Sequence, residues 1–377
     1  MKRFFIVFVI ICLMFSTGCS ANGSLFSNYR PIEQLKLVHT IGFDIHDEGL
    51  LLSVCGGEQD GQGIMRLYAS GKNISDCLSG LQNFSGKEEL YYAHTRYVLV
   101  GEEYAKQGLG DVMQYLESSN QLRSDLPLFV VKGGTAKDLL LKAGGEDAGI
   151  HEVLEAVMRD CTTQGIAFPF SCGDLGSFSA EYGSAIACAL EQKPTNAIDP
   201  DADEEEVTPV AVGYGILKNG KLAGFLSENA SRAVNFLIDE TGTEPFTVTL
   251  SGQPVSLQIK KVKTTLLPAF HENGSIKQFT AALSMECVLE ESEQSVSPDL
   301  DALGAALESS VQQWLEELLM AMRSTECDFL GFGPRIAIEY PRTVFNTSVK
   351  WTEQLRTLPM YAQVHCTINL GENEPRR

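Results

Sequence analysis

The chain has 377 residues, 44% of them hydrophobic, with 49 acidic against 29 basic side chains and a formal net charge of −20. That balance excludes two partner classes, since sequence-independent nucleic-acid binding and attraction to anionic lipid headgroups both depend on clustered Lys and Arg. The length suggests two or three domains with ample apolar residues for a core.

The first twenty residues, "MKRFFIVFVIICLMFSTGCS", combine a basic start, an apolar run from Phe4 to Phe15 and a small-residue segment before Cys19. This is the layout of a secretory signal, and its apolar run is too short for a transmembrane helix. The ending Ser16-Thr17-Gly18-Cys19 looks like a bacterial lipobox. Residues 1–18 are therefore expected to be a lipoprotein signal peptide, and Cys19 the lipid attachment site. Two or more acyl chains, at about 0.8 kcal/mol per buried CH₂, give a stable anchor where one chain does not. Residues 19–30 then read as a flexible tether. Ser20 and Ala21 follow the cysteine, so the spacer before the first ordered element is long.

An α+β fold is expected, with mixed sheets and helices packed on them. In the N-terminal region, 31–193, "IEQLKLVHTIGFDIHDEGLLLSVCGG" reads as strand, hairpin, strand. Three strand-then-helix units follow: "GIMRLYAS" with "NISDCLSGLQNF", "YYAHTRYVLVG" with "EEYAKQGLGDVMQYLESS", and "LPLFVVKGG" with "TAKDLLLKAG". The helix "GIHEVLEAVMRDCTTQ" comes next, and "GSAIACALEQK" reads as a strand. The acidic, Pro-bearing segment 194–209 is expected to be an exposed linker.

A C-terminal α+β domain is expected over 210–373. It opens with a hairpin around Asn219-Gly220, a strong turn dipeptide. A short helix, "ENASRAVNFLID", and three strand-like runs follow. Ser297 and Pro298 stand where an N-cap and first helical residue belong. Leu300, Leu303, Leu307, Val311, Trp314, Leu318 and Met322 then recur at three- and four-residue steps, which predicts a long amphipathic helix facing a core. "CDFLGFG", a Pro-rich turn and the strand "YAQVHCTINLG" close the chain.

Candidate catalytic and metal motifs fail on spacing. "HEVLE" at His151 has Glu155 where a zinc helix needs its second histidine. "DPDADEEEV" begins like a calcium loop but places Glu204 at the turn that demands Gly. "VKGGTAK" sets Gly133 and Gly134 between strand and helix, where backbone N–H groups could hold an anion. Without phosphate-loop spacing it reads as a tight turn with Thr135 as N-cap. The eight cysteines beyond Cys19 match no zinc pattern and are expected to be mostly free, buried thiols. No catalytic residues and no cofactor are assigned.

Several stretches together resemble the C subunits of spore germinant receptors, the Ger(x)C (GerAC-like) lipoprotein family. They are "IEQLKLVHTIGFD", "AHTRYVLVGEEYAKQGLGDVMQYLESSNQLRSDLPLFVVKGGTAKDLL", "GYGILKNGKLAGFLSENASRAVNFL" and "CDFLGFGPRIAIEYPRTVFNTSVKWTEQLRTLPMYAQVHCTINLGE". The last is the most specific, with an Asp-x-x-Gly-x-Gly turn (Asp328, Gly331, Gly333) followed by Pro341 and Trp351. The resemblance implies a non-catalytic subunit on the outer face of the spore inner membrane. Its partners would be A-type and B-type membrane subunits, in a complex that senses nutrient germinants. The alternatives are a substrate-binding lipoprotein of an importer, which would show two similar α/β lobes, and an extracytoplasmic hydrolase, which needs a nucleophile or metal that the sequence does not supply.

Overall fold

The computed structural model of the chain describes residues 34–47, 49–57, 63–144, 149–197, 206–242, 246–250, 253–272, 276–292, 299–341 and 350–370. Cys19, the acidic run up to residue 205 and the expected cap at Ser297-Pro298 lie outside these residues. The fold is α+β, built on two mixed sheets.

The first sheet has nine strands. β1 (Leu35–His46) pairs antiparallel with β2 (Gly49–Gly57), which pairs with β3 (Ile64–Gly71), and a short β4 (Glu89–Tyr91) runs parallel beside the start of β1. On its other side β1 leads to the parallel strands β5 (Tyr97–Gly101), β6 (Leu128–Lys132) and β7 (Ser184–Pro194), and then to antiparallel β8 (Val207–Lys218) and β9 (Lys221–Phe225). The central strands are apolar without interruption because both faces of the sheet are covered. Val98, Val100, Leu128 and Val130 point to one face, against α1 (Ile74–Phe84), α2 (Glu102–Gln107), α3 (Gly110–Ser118) and α6 (Cys172–Tyr182). Leu99, Phe129 and Val131 point to the other, against α4 (Ala136–Lys142), α5 (Ile150–Gln164) and α7 (Glu228–Ile238).

The second sheet is ordered β10 (Phe246–Leu250), β11 (Gln253–Phe270), β12 (Ile276–Ser292), β13 (Met360–Leu370), with β13 parallel to β12. The long helix α8 (Leu300–Thr325) lies against β13 and α7. Its cap is Asp299, whose carboxylate accepts from the backbone N–H groups of Asp301 and Ala302 at 3.1 and 3.3 Å. Leu303, Leu307, Val311, Leu318 and Met322 of the predicted stripe are buried, with Leu300 and Trp314 at its partly covered edge. That stripe, the second sheet and the α4–α5 face of the first sheet share one continuous apolar core.

Four features differ from the sequence reading. Pro194 pairs with Val207, so the segment read as an interdomain linker over 194–209 joins two neighbouring strands of one sheet, and β8 and β9 complete that sheet rather than opening a second. The helix expected over "EEYAKQGLGDVMQYLESS" is broken into α2 and α3 at Gly108. Helix α6 went unread because Gly173, Gly176 and several serines have low helix propensity; a reciprocal cap between Ser171 and Asp174 starts it. The stretch after "CDFLG", read as a turn, contains α9 (Phe332–Glu339), with Pro334 tolerated in its first turn, and α10 (Lys350–Leu355). The hairpin at Asn219-Gly220 matches the reading: both residues have positive φ, 50° and 74°.

Candidate functional site

The Asp-x-x-Gly-x-Gly segment forms the joint between the two halves. Asp328 is fully buried. One carboxylate oxygen accepts from the Phe332 N–H at 2.8 Å; the other accepts from the Gly333 N–H at 2.7 Å and the Trp351 indole N–H at 2.6 Å. The aspartate thereby satisfies the exposed amides at the start of α9 and ties α10 to it. Burial raises its pKa above the ordinary carboxylate range, against the lowering effect of these three donors.

Both glycines are required by what packs on them. Gly331 has φ 64°, and a Cβ there would meet the ring of Tyr182, on α6 of the first half, at 2.9 Å. A Cβ on Gly333 would lie 2.5 Å from the Trp351 indole nitrogen. Close by, Lys218 at the end of β8 donates to the Thr325 carbonyl at 2.8 Å and to Glu326 at 3.4 Å, joining the first sheet to the end of α8. Between these groups lies a cleft of about 340 Å³, lined by Glu181, Tyr182, Lys218, Glu326, Trp351 and Glu353 among others.

A second joint sits at the other end of the interface. The Tyr214 hydroxyl on β8 accepts from the Phe168 N–H at 2.6 Å and donates to Asn235 of α7 at 2.5 Å, and the Asn235 amide donates to the Gly165 carbonyl. From α7, Ser227 and Asn229 reach Glu317 of α8 at 2.8 and 3.2 Å, and Phe236 stacks on Trp314. Burial pushes the Tyr214 hydroxyl pKa up.

The amides of "VKGGTAK" are taken by the chain's own carboxylates: Asp44 of β1 accepts from Ala136 and Lys137 at 2.8 and 2.7 Å, Glu102 accepts from Gly133 at 2.6 Å, and Thr135 caps α4. This is an anion site already filled from within. His151 does not meet a metal-binding partner set; no group of three or more metal-ligating side chains gathers among the described residues. It faces His39, a pairing across 112 positions that spacing could not have revealed. All eight described cysteines are buried free thiols. Among the described residues no helix is long and apolar enough to cross a membrane.

Taken together, the geometry defines a two-sheet α+β protein whose halves are pinned by buried polar knots. Residues 28–191 match the family model described as the spore germination protein N-terminal domain, and residues 212–370 match the spore germination B3/GerAC-like C-terminal model. The chain belongs to the GerAC-like family of germinant receptor C subunits, which gives it a role in spore germination. It is 21% identical to YfkR of Bacillus subtilis (strain 168), whose name assigns it to spore germination, over 96% of this chain and 95% of YfkR. Spore germination protein B3 of the same organism is 26% identical over 56% of this chain and 54% of its own length. The crystal structure of the GerBC protein shares the fold, with a TM-score of 0.58 and 19% identity over 87% of this chain and 96% of that one. The interval between the two family matches falls in the β7–β8 hairpin.

Proposed function

We propose that the protein is a lipid-anchored, non-catalytic subunit of a nutrient germinant receptor, held by acyl chains on Cys19 at the outer face of the spore inner membrane. It acts by contact with A-type and B-type membrane subunits. The observation that carries this reading is the tandem match to both family domains along the chain. The site chemistry supports it. Asp328 spends all three of its hydrogen bonds on holding α9 and α10, and Asp44 and Glu102 take the amides of the 133–137 turn where an anion could otherwise sit. These groups build a rigid body rather than a reaction centre.

A rigid, tethered body influences its neighbours by docking more tightly to one of their conformations and so biasing the equilibrium. Tethering keeps its local concentration high near them. Purification of the tagged chain from spore membranes tests this directly. Polytopic germinant receptor subunits should co-purify, and deletion of the chain should abolish the nutrient response while leaving nutrient-independent germination intact. Recovery of the chain alone, with an unchanged nutrient response in the deletion, would overturn the reading.

A further inference from the structure

Beneath α5, on the α4–α5 face of the first sheet, two histidines meet. The rings of His39 (β1) and His151 (first turn of α5) have centroids 4.3 Å apart, tilted by 56°. The Nδ1 atoms of both are shielded from solvent and lack a hydrogen-bond partner. The charged and titratable groups acting on them are His94 and Arg96, on the segment before β5, and Glu152 and Glu155, on α5 itself. Cys55 of β2, beside the start of α5, has Arg66 of β3 near it. Arg96 pairs with Glu155 at 3.4 Å, across the same joint.

This environment suits neutral rings only. A proton on either imidazole brings a second positive charge next to Arg96 in a half-buried site, and no carboxylate acts on His39 to balance it. Glu152 and Glu155 partly offset the charge on His151, but they are largely exposed and do not reach His39. Arg96, which acts on both rings, also argues against a metal ion between them, because it would repel it.

We propose that His39 and His151 form an acid-sensitive latch, which seats the N-terminal turns of α5 on the first sheet when both rings are neutral and releases them when either is protonated. The far end of α5 is fixed separately, through the Gly165 carbonyl held by Asn235. Release is therefore confined to the start of the helix. Burial lowers the His39 pKa to about 4, with His151, Arg96 and His94 adding to the effect, and burial lowers His151 as well. For a histidine depressed in the closed form the sign is fixed. Closure is unaffected above the ordinary value near 6.5, and weakens as pH falls from there towards 4.

Hydrogen exchange read by mass spectrometry on the full chain at pH 7 and pH 5, corrected for intrinsic rates, tests the latch. Protection over residues 150–157 should fall by about twentyfold from pH 7 to pH 5 relative to α1, which lies on the opposite face; the figure follows from a group titrating near 4 when closed and near 6.5 when open. The H39F/H151F variant should remove that pH dependence. Histidine NMR gives a second reading on the unmutated chain, in which His39 should titrate well below 6.5. Equal protection of α5 and α1 at both pH values, or a His39 midpoint at or above 6.5, would overturn the proposal.

Discussion

Two buried aspartates, one in each half, do the same work by different routes. Asp44 reaches from β1 to the start of α4 and accepts from amides 92 and 93 positions further along the chain. Asp328 caps α9 from only four and five positions away, adding the Trp351 indole from 23 positions on. Both are raised in pKa by burial, in spite of the donors around them. The local cap left a readable signature, Asp-x-x-Gly-x-Gly, because its partners and its glycines travel together in sequence. The distant cap left none, although it anchors the centre of the first sheet.

The two caps are expected to separate in the size of their effects. Asp328→Ala strands three buried donors, one of them an indole, and should cost about 4 kcal/mol, since each unpaired buried group costs about 1–3 kcal/mol. Urea unfolding followed by tryptophan fluorescence measures this, with Trp351 itself a reporter of the lost contact. Asp44→Ala strands two amides and should cost about 2–3 kcal/mol on the same principle. An Asp44→Ala loss larger than that of Asp328→Ala would show that the distant cap dominates, and would reverse the ranking.

A finer test asks whether the Asp328 joint couples the halves. Gly331→Ala forces a Cβ against Tyr182 in a left-handed backbone and should cost about 1–3 kcal/mol, as overpacking and strain commonly do. Adding Tyr182→Ala should recover the steric part and leave the backbone part, so a double-mutant cycle should give a non-zero coupling. Additive losses would mean that α6 and α9 do not press on each other. The smallest effect belongs to Lys218→Ala. Lys218 and Glu326 are each about 40% exposed, so the pair contributes at most about 1 kcal/mol, and less in high salt. What Lys218→Ala removes beyond this is the hydrogen bond to the Thr325 carbonyl.

Periodic signals were legible and compositional ones less so. The α8 stripe, the Asn219-Gly220 hairpin and the Thr135 cap each rest on residues within a few positions of one another, and the structure places them as read. The boundary read at 194–209 falls in the interval between the two family matches, but acidic composition reports exposure, not connectivity: the antiparallel pairing of β7 with β8, from Pro194 and Val207 onward, puts the strands on either side of it in one sheet. Helix α6 was hidden by glycine and serine, and declared only by its capping box at Ser171 and Asp174. Of the functional residues, the Asp328 cluster was visible as a motif but not as a joint, since Tyr182 and Lys218 come from the other half. The His39–His151 pair, like the Asp44 cap, exists only once the chain is folded.

The proposed role rests on a two-sheet body that works while held to the membrane by lipid at Cys19. Mass spectrometry of the N-terminal peptide, isolated from spore membranes, is the decisive experiment. The chain should begin at Cys19, with a diacylglyceryl group on its sulfur. An N-terminal peptide that retains residues 1–18, or an unmodified Cys19 on protein recovered from the aqueous fraction, would contradict it.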